Sequence, residues 1–182
     1  NGEEYYAENK NLPGMQIKGG AKYAINDNVN AFANLGWVKA TPTFDKAIND
    51  ASGKVYKQSF ADNETFNSYE AGLNWSAPNG MLALSASYYY TLWLNRTNSF
   101  FVYLTDGSED AVYLTGMNAK HSGLELEAAL KPIKGLRIDL SASFGDWTMM
   151  DDVSGEYTDY SSGSPVTTQV NYYLKGLHVG DA

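Results

Sequence analysis

The sequence predicts an all-β chain, an antiparallel up-and-down meander with the pattern of a transmembrane β-barrel. Three observations predict it. Apolar residues recur at every second position through six segments; these segments pair across turns of a few residues; and the connections between pairs are long. Alternation at period two gives a strand one apolar and one polar face. Composition agrees: tyrosine (14) and glycine (17) are abundant, and 43% of the 182 residues are hydrophobic, too many for a disordered chain.

The first pair begins with MQIKGGAKYAI, residues 15–25, which sets Met15, Ile17, Ala21, Tyr23 and Ile25 opposite Gln16, Lys18 and Lys22. After NDN, Val29, Ala31, Ala33, Leu35 and Trp37 keep the same step, opposite Asn30 and Asn34. A turn centred on Asp27 places Ile25 against Val29 and Ile17 against Trp37, so both apolar sets share a face, as a hairpin requires. The second pair runs through Tyr69, Ala71, Leu73, Trp75 and Ala77, then across PNG to Leu82, Leu84, Ala86, Tyr88 and Tyr90. In the third, Leu124, Leu126, Ala128 and Leu130 answer Leu136, Ile138, Leu140, Ala142 and Phe144 across KPIKG. A symmetric KPIKG turn puts Glu127 opposite Asp139, with Arg137 on the diagonal and Glu125 one step further up.

Residues 38–67, 95–118 and 148–171 read as long polar loops dotted with aromatics. Loops beyond about 12–15 residues are uncommon in compact soluble domains. In an outer-membrane barrel, short periplasmic turns alternate with long extracellular loops. The alternation also persists for about the 9–11 residues that a tilted strand needs to cross the hydrocarbon. Trp37 and Phe144 at the long-loop ends, and Tyr23 and Trp75 at the short-turn ends, fit two interfacial girdles of aromatics. On this reading Leu84, Leu126, Ile138 and Leu140 face lipid near the bilayer midplane. Glu125, Glu127, Arg137 and Asp139 then face a lumen. A soluble β-sandwich or small ligand-binding barrel alternates in the same way, its apolar face covering a core. It gives no reason for long loops on one side only.

A net charge of −8 opposes nucleic acid as a partner, and the absence of cysteine excludes a disulfide framework or thiolate metal site. The polar start NGEEYYAENK carries no signal peptide, so the chain is expected to be a mature protein or to begin partway through a longer one. His121 and His178 lie far apart with no second ligand at metal-binding spacing. The acidic stretches TDGSED and MMDD lack the spacing of a calcium loop and read as solvated acids. No nucleophile motif and no phosphate-binding glycine loop occurs, and the expectation is a non-enzyme without cofactor or metal. Phe100, Phe101, Tyr103 and Tyr113 are candidates to stack on a ligand, or to pack their loop against its neighbours.

The segments GGAKYAINDNVNAFANLGW, HSGLELEAALKPIKGLRIDLSASFGDW and YYLKGLHVGDA resemble the barrel of TonB-dependent receptors, active importers of the Gram-negative outer membrane. The resemblance implies a 22-stranded barrel, closed by an N-terminal plug and energised through TonB. It implies as partners the plug, TonB, outer-membrane lipid and a small-molecule or glycan substrate. Family barrels present glutamates of a G-x-E-x-E strand to plug arginines, a pattern matched by Glu125 and Glu127. Six or seven strands cannot close such a barrel, and neither a plug nor a TonB-binding segment is visible. The expectation is therefore a single partial-barrel segment over 1–182, cut from the later barrel. The function expected is energy-coupled uptake of an iron chelate, cobalamin or glycan, against a passive or structural barrel or a soluble binding module.

Overall fold

The computed structural model describes residues 13–41, 62–104, 107, 109–159, 164 and 166–179. The strands are β1 (Met15–Ala24), β2 (Val29–Ala40), β3 (Glu64–Ser76), β4 (Leu82–Tyr103), β5 (Glu109–Leu130), β6 (Ile138–Met149), β7 (Val153–Asp159) and β8 (Val166–Tyr172). The first six form one open antiparallel sheet in sequence order, and β7 and β8 form a separate two-stranded sheet. No helix occurs among the described residues.

Turn chemistry sets the registers. Asn26 Oδ1 accepts from the backbone N–H groups of Asn28 and Val29, both at 2.9 Å, closing the first turn about Asp27. Ile17 accordingly pairs with Trp37, as the apolar pattern requires. In the second turn Gly80 N–H donates to the Ala77 carbonyl at 2.8 Å, and Gly80 takes a φ of 69° that favours glycine.

The third turn departs from symmetry. Lys131 N–H is drawn to the Met81 carbonyl of the neighbouring turn at 2.7 Å, and a tight turn follows in which Leu136 N–H donates to the Ile133 carbonyl. The centre moves to Lys134, so Glu127 pairs with Ser141 and Asp139 with Ala129. Glu127 does not face Asp139. A two-residue offset leaves every side chain on its expected face, because faces repeat with period two.

The long connections contain more strand than their composition suggests. Residues 95–118 lie largely within β4 and β5, each 22 residues long. Much of 148–171 forms the β7–β8 hairpin. The strands change course near Arg96, where the β4–β5 register shifts between Trp93 and Asn98. Asn95 (φ 59°) and Gly116 (φ 73°) occupy left-handed conformations at this level. Asn118 ties the bend together: its Oδ1 accepts from Asn95 N–H at 3.0 Å and its Nδ2 donates to Asp151 at 2.7 Å. Such a bulge re-aims a hairpin without ending it.

The apolar side of the sheet reverses at this height. Along β5, Leu130, Ala128, Leu126 and Leu124 share one face, and beyond them Ala119 and Met117 carry the apolar character on the other. Along β6 the switch comes between Phe144 and Trp147. Below it the large apolar side chains stay open, with Leu140 66% and Phe144 64% exposed. Above it Val112, Leu114, Met117, Ala119, Met149 and Val179 form a buried cluster, packed by Val153, Tyr157, Val170, Tyr172 and Leu174. The returning segment seals it through Met149 N–H to the Leu177 carbonyl and Val179 N–H to the Trp147 carbonyl, both 2.9 Å.

Candidate functional site

The polar face of the six-stranded sheet carries the side chains with chemistry. At mid-height Glu125 lies between Ser87 and Ser143, and Glu127 between Ser85 and Ser141. Both glutamates are exposed, and neither has a hydrogen-bond or ion-pair partner among the described residues. Short serines on both flanks leave space around each carboxylate. Arg137 does not fill it: its Nη2 stands 2.8 Å from Asp139 Oδ1 and its Nε is shared between both carboxylate oxygens at 2.9 Å. The expected diagonal contact to the glutamates is replaced by this pair at the short-turn end of β6.

Higher on the same face is a group that the sequence pattern did not flag. Phe66, Trp93, His121 and Trp147, one from each of β3 to β6, form a row with centroids 5.0, 6.1 and 5.2 Å apart. Both indoles are fixed: Trp93 Nε1 donates to Glu64 Oε2 and Trp147 Nε1 to the Tyr89 hydroxyl, each at 2.9 Å. The Arg96 guanidinium lies 4.4 Å from the Trp93 ring centroid, a cation–π distance. Tyr89 reaches across two strands because they offer glycine there: a Cβ would lie 2.6 Å from its hydroxyl at Gly123 and 3.0 Å at Gly145. The signal available in the sequence was phase. Phe66, Tyr89, Trp93 and Trp147 are aromatics on the polar step of their strands.

The opposite face gathers the expected apolar residues. Trp75, Leu84, Ala128 and Leu140 share one level, with Leu126 a step above and Ile138 a step below. Tyr23 and Trp75 sit towards the short turns and Trp37 and Phe144 towards the long connections, where Tyr69, Tyr88 and Tyr90 join the latter two. Of the loop candidates, Phe101 and Tyr103 project into solvent from the end of β4. The side chains of Phe100 and Tyr113 lie outside the described residues. The acids of MMDD serve as structural acceptors, Asp151 for Asn118 and Asp152 for Lys175 N–H at 3.0 Å. Within TDGSED, residues 105, 106 and 108 lie outside the described residues. His178 stands apart from His121, beside Asp146 at 3.7 Å.

An ordered meander with one apolar face exposed is half of a recognisable architecture; the other half is family. The model of the TonB dependent receptor-like β-barrel matches residues 15–178. The chain belongs to the TonB-dependent receptor β-barrel family. Neither a curated protein nor a solved structure matches it. TonB-dependent receptors are barrels of the Gram-negative outer membrane. Membership gives the exposed leucines a physical explanation: bilayer strands put apolar side chains outward and polar ones inward.

Proposed function

We propose that this chain is part of the wall and outer cap of an energy-coupled importer in the outer membrane of a Gram-negative bacterium. It takes up a scarce nutrient such as an iron chelate, cobalamin or a glycan, using energy delivered through TonB. The apolar face carrying Leu84, Leu126, Ile138 and Leu140 meets lipid, together with the aromatics Tyr23, Trp37, Trp75 and Phe144 on the same face. The polar face lines the lumen.

The observation that carries the reading is the pair Glu125 and Glu127, set among serines on the inner face without partners among the described residues. In an open pore water would screen them at small cost. In a plugged barrel they need cations, because a desolvated charge is costly unless paired. Plug arginines suit them, since the guanidinium fork matches a carboxylate in two parallel hydrogen bonds. The decisive experiment uses the full-length protein in cells and in detergent. Glu125→Gln with Glu127→Gln should speed amide exchange in the plug and impair uptake, and collapse of the proton-motive force should stop uptake in the unaltered protein. Uptake that continues without the proton-motive force would instead identify a passive barrel.

A further inference from the structure

At the upper margin of the outer face, three polar side chains converge from three segments. Asp146 of β6 has one carboxylate oxygen 3.8 Å from Lys120 Nζ on β5 and the other 3.7 Å from His178 Nδ1, on the segment that pairs with the end of β6. Neither is a hydrogen-bonded contact, since charge-assisted hydrogen bonds close to about 2.7–2.9 Å. Arg137 and Asp139 do close, at 2.8 Å. None of the three side chains has another polar partner among the described residues. The trio therefore keeps unused donors on both bases and unused acceptor positions on the carboxylate between them.

Further down the same face is an open apolar groove of about 470 Å³. Ala86, Ala128 and Ala142 leave room in it, and Leu84, Leu126 and Leu140 stand around them. Asp146 and Ala142 lie four residues apart on one face of β6, about 14 Å along the strand. At a tilt of about 40° this is about 10 Å of depth, within the roughly 15 Å of one leaflet. Phe144, exposed on the same face, stands between them. The trio and the groove are thus spaced as the headgroup and an acyl chain of one lipid molecule.

The trio also selects among headgroups. A phosphate alone would meet two donors but also the Asp146 carboxylate, which repels it. A headgroup with a primary ammonium beside its phosphate satisfies all three: the phosphate oxygens accept from Lys120 and His178, and the ammonium donates to Asp146. A quaternary ammonium has no N–H to give. We propose that Lys120, Asp146 and His178, with the groove below them, bind a membrane lipid through a phosphoethanolamine headgroup and one acyl chain. The proposal rests on the bilayer placement given above for this face, and not on import.

The test is native mass spectrometry of the full-length receptor, delipidated in detergent and titrated with phosphatidylethanolamine, phosphatidylglycerol and phosphatidylcholine of identical acyl chains. Phosphatidylethanolamine should bind about fivefold more tightly than either of the others, the effect of one added charge-assisted hydrogen bond. Asp146→Asn should abolish that order by admitting phosphatidylglycerol equally. Lys120→Gln should weaken all three, as should Ala142→Leu, which fills the groove and adds no polar group to the lipid face. A preference that survives Asp146→Asn overturns the site, as does equal or tighter binding of phosphatidylglycerol or phosphatidylcholine to the unaltered receptor. A dimer without bound lipid overturns it too, by assigning the groove to a second copy of the chain. Each of these results leaves the bilayer placement standing. A full-length protein that stays monomeric in plain buffer and enters no phosphatidylethanolamine vesicle would remove the placement and the site together.

Discussion

The inner six-stranded sheet and the outer cap, built from the far ends of β4 and β5 with β7, β8 and residues 174–179, solve the same problem in opposite ways. In the cap, apolar residues are hidden: Val112 and Ala119 are fully buried. In the sheet they are shown, and the inward side is left to serine, glutamate and glycine. Both regions share strands, so composition alone does not separate them. What differs is the solvent each outward face meets. Water forces an apolar set inward, and hydrocarbon draws it outward. In the proposed bilayer placement, the level at which the set changes sides on β5 and β6 is where one solvent gives way to the other.

Val112→Asp puts a carboxylate into a fully buried site and should cost more than about 4 kcal/mol, melting the cap. Proteolysis and amide exchange in micelles should then rise across 109–119 and 153–172 while β1 to β3 stay protected. If the whole sheet unfolds with it, cap and wall are one cooperative unit. In the wall, Leu140→Arg should cost about 2–4 kcal/mol in a urea titration of the folded barrel in lipid, and Thr148→Arg on the same face above the switch about 0–1 kcal/mol. Equal costs would erase the boundary proposed here. Gly123→Ala acts on the inner side of the wall. Its Cβ would lie 2.5 Å from the Phe144 carbonyl and 2.6 Å from the Tyr89 hydroxyl, so about 1–3 kcal/mol of stability should be lost. Near-ultraviolet circular dichroism should report the disturbed Tyr89–Trp147 contact. The smallest effect is expected at Asn26→Ala, which removes the acceptor for two turn N–H groups and should cost about 1 kcal/mol with no change of register.

Much of the wall was legible because its information is local. Period-two alternation assigns a face to each residue, and a short turn such as Ile25–Val29 leaves one compatible register. The KPIKG turn shows where local information stops. Its centre depends on Met81, a residue of another hairpin, which captures Lys131 N–H. The strands within 95–118 and 148–171 were hidden for a related reason. Their alternation is broken at the bulge near Arg96 and at Gly116, so the buried face passes from Met117 to Leu114 out of step. The aromatic row was missed because no single strand contains more than one of its rings. It exists only once four registers are combined. Glu125 and Glu127, by contrast, were visible as a pair on one face, while the placement of Arg137 depended on the turn.

The apolar band on the outer face is not of even height. On β5 it runs from Leu130 to Leu124, about 20 Å along the strand, before Ser122 and Lys120 interrupt it. On β4 it continues from Leu82 to Leu94, about 40 Å. After a strand tilt of about 40°, these become roughly 15 Å and 30 Å of vertical rise, against a band of about 25 Å in such barrels. Lys120 softens the step, since its methylene stem can lie on apolar surface while the ammonium reaches the headgroups near Asp146, 3.8 Å away. In the bilayer placement proposed above, the remaining mismatch falls on the lipid, and acyl chains beside β5 and β6 shorten or splay, thinning the membrane around this sector of the wall.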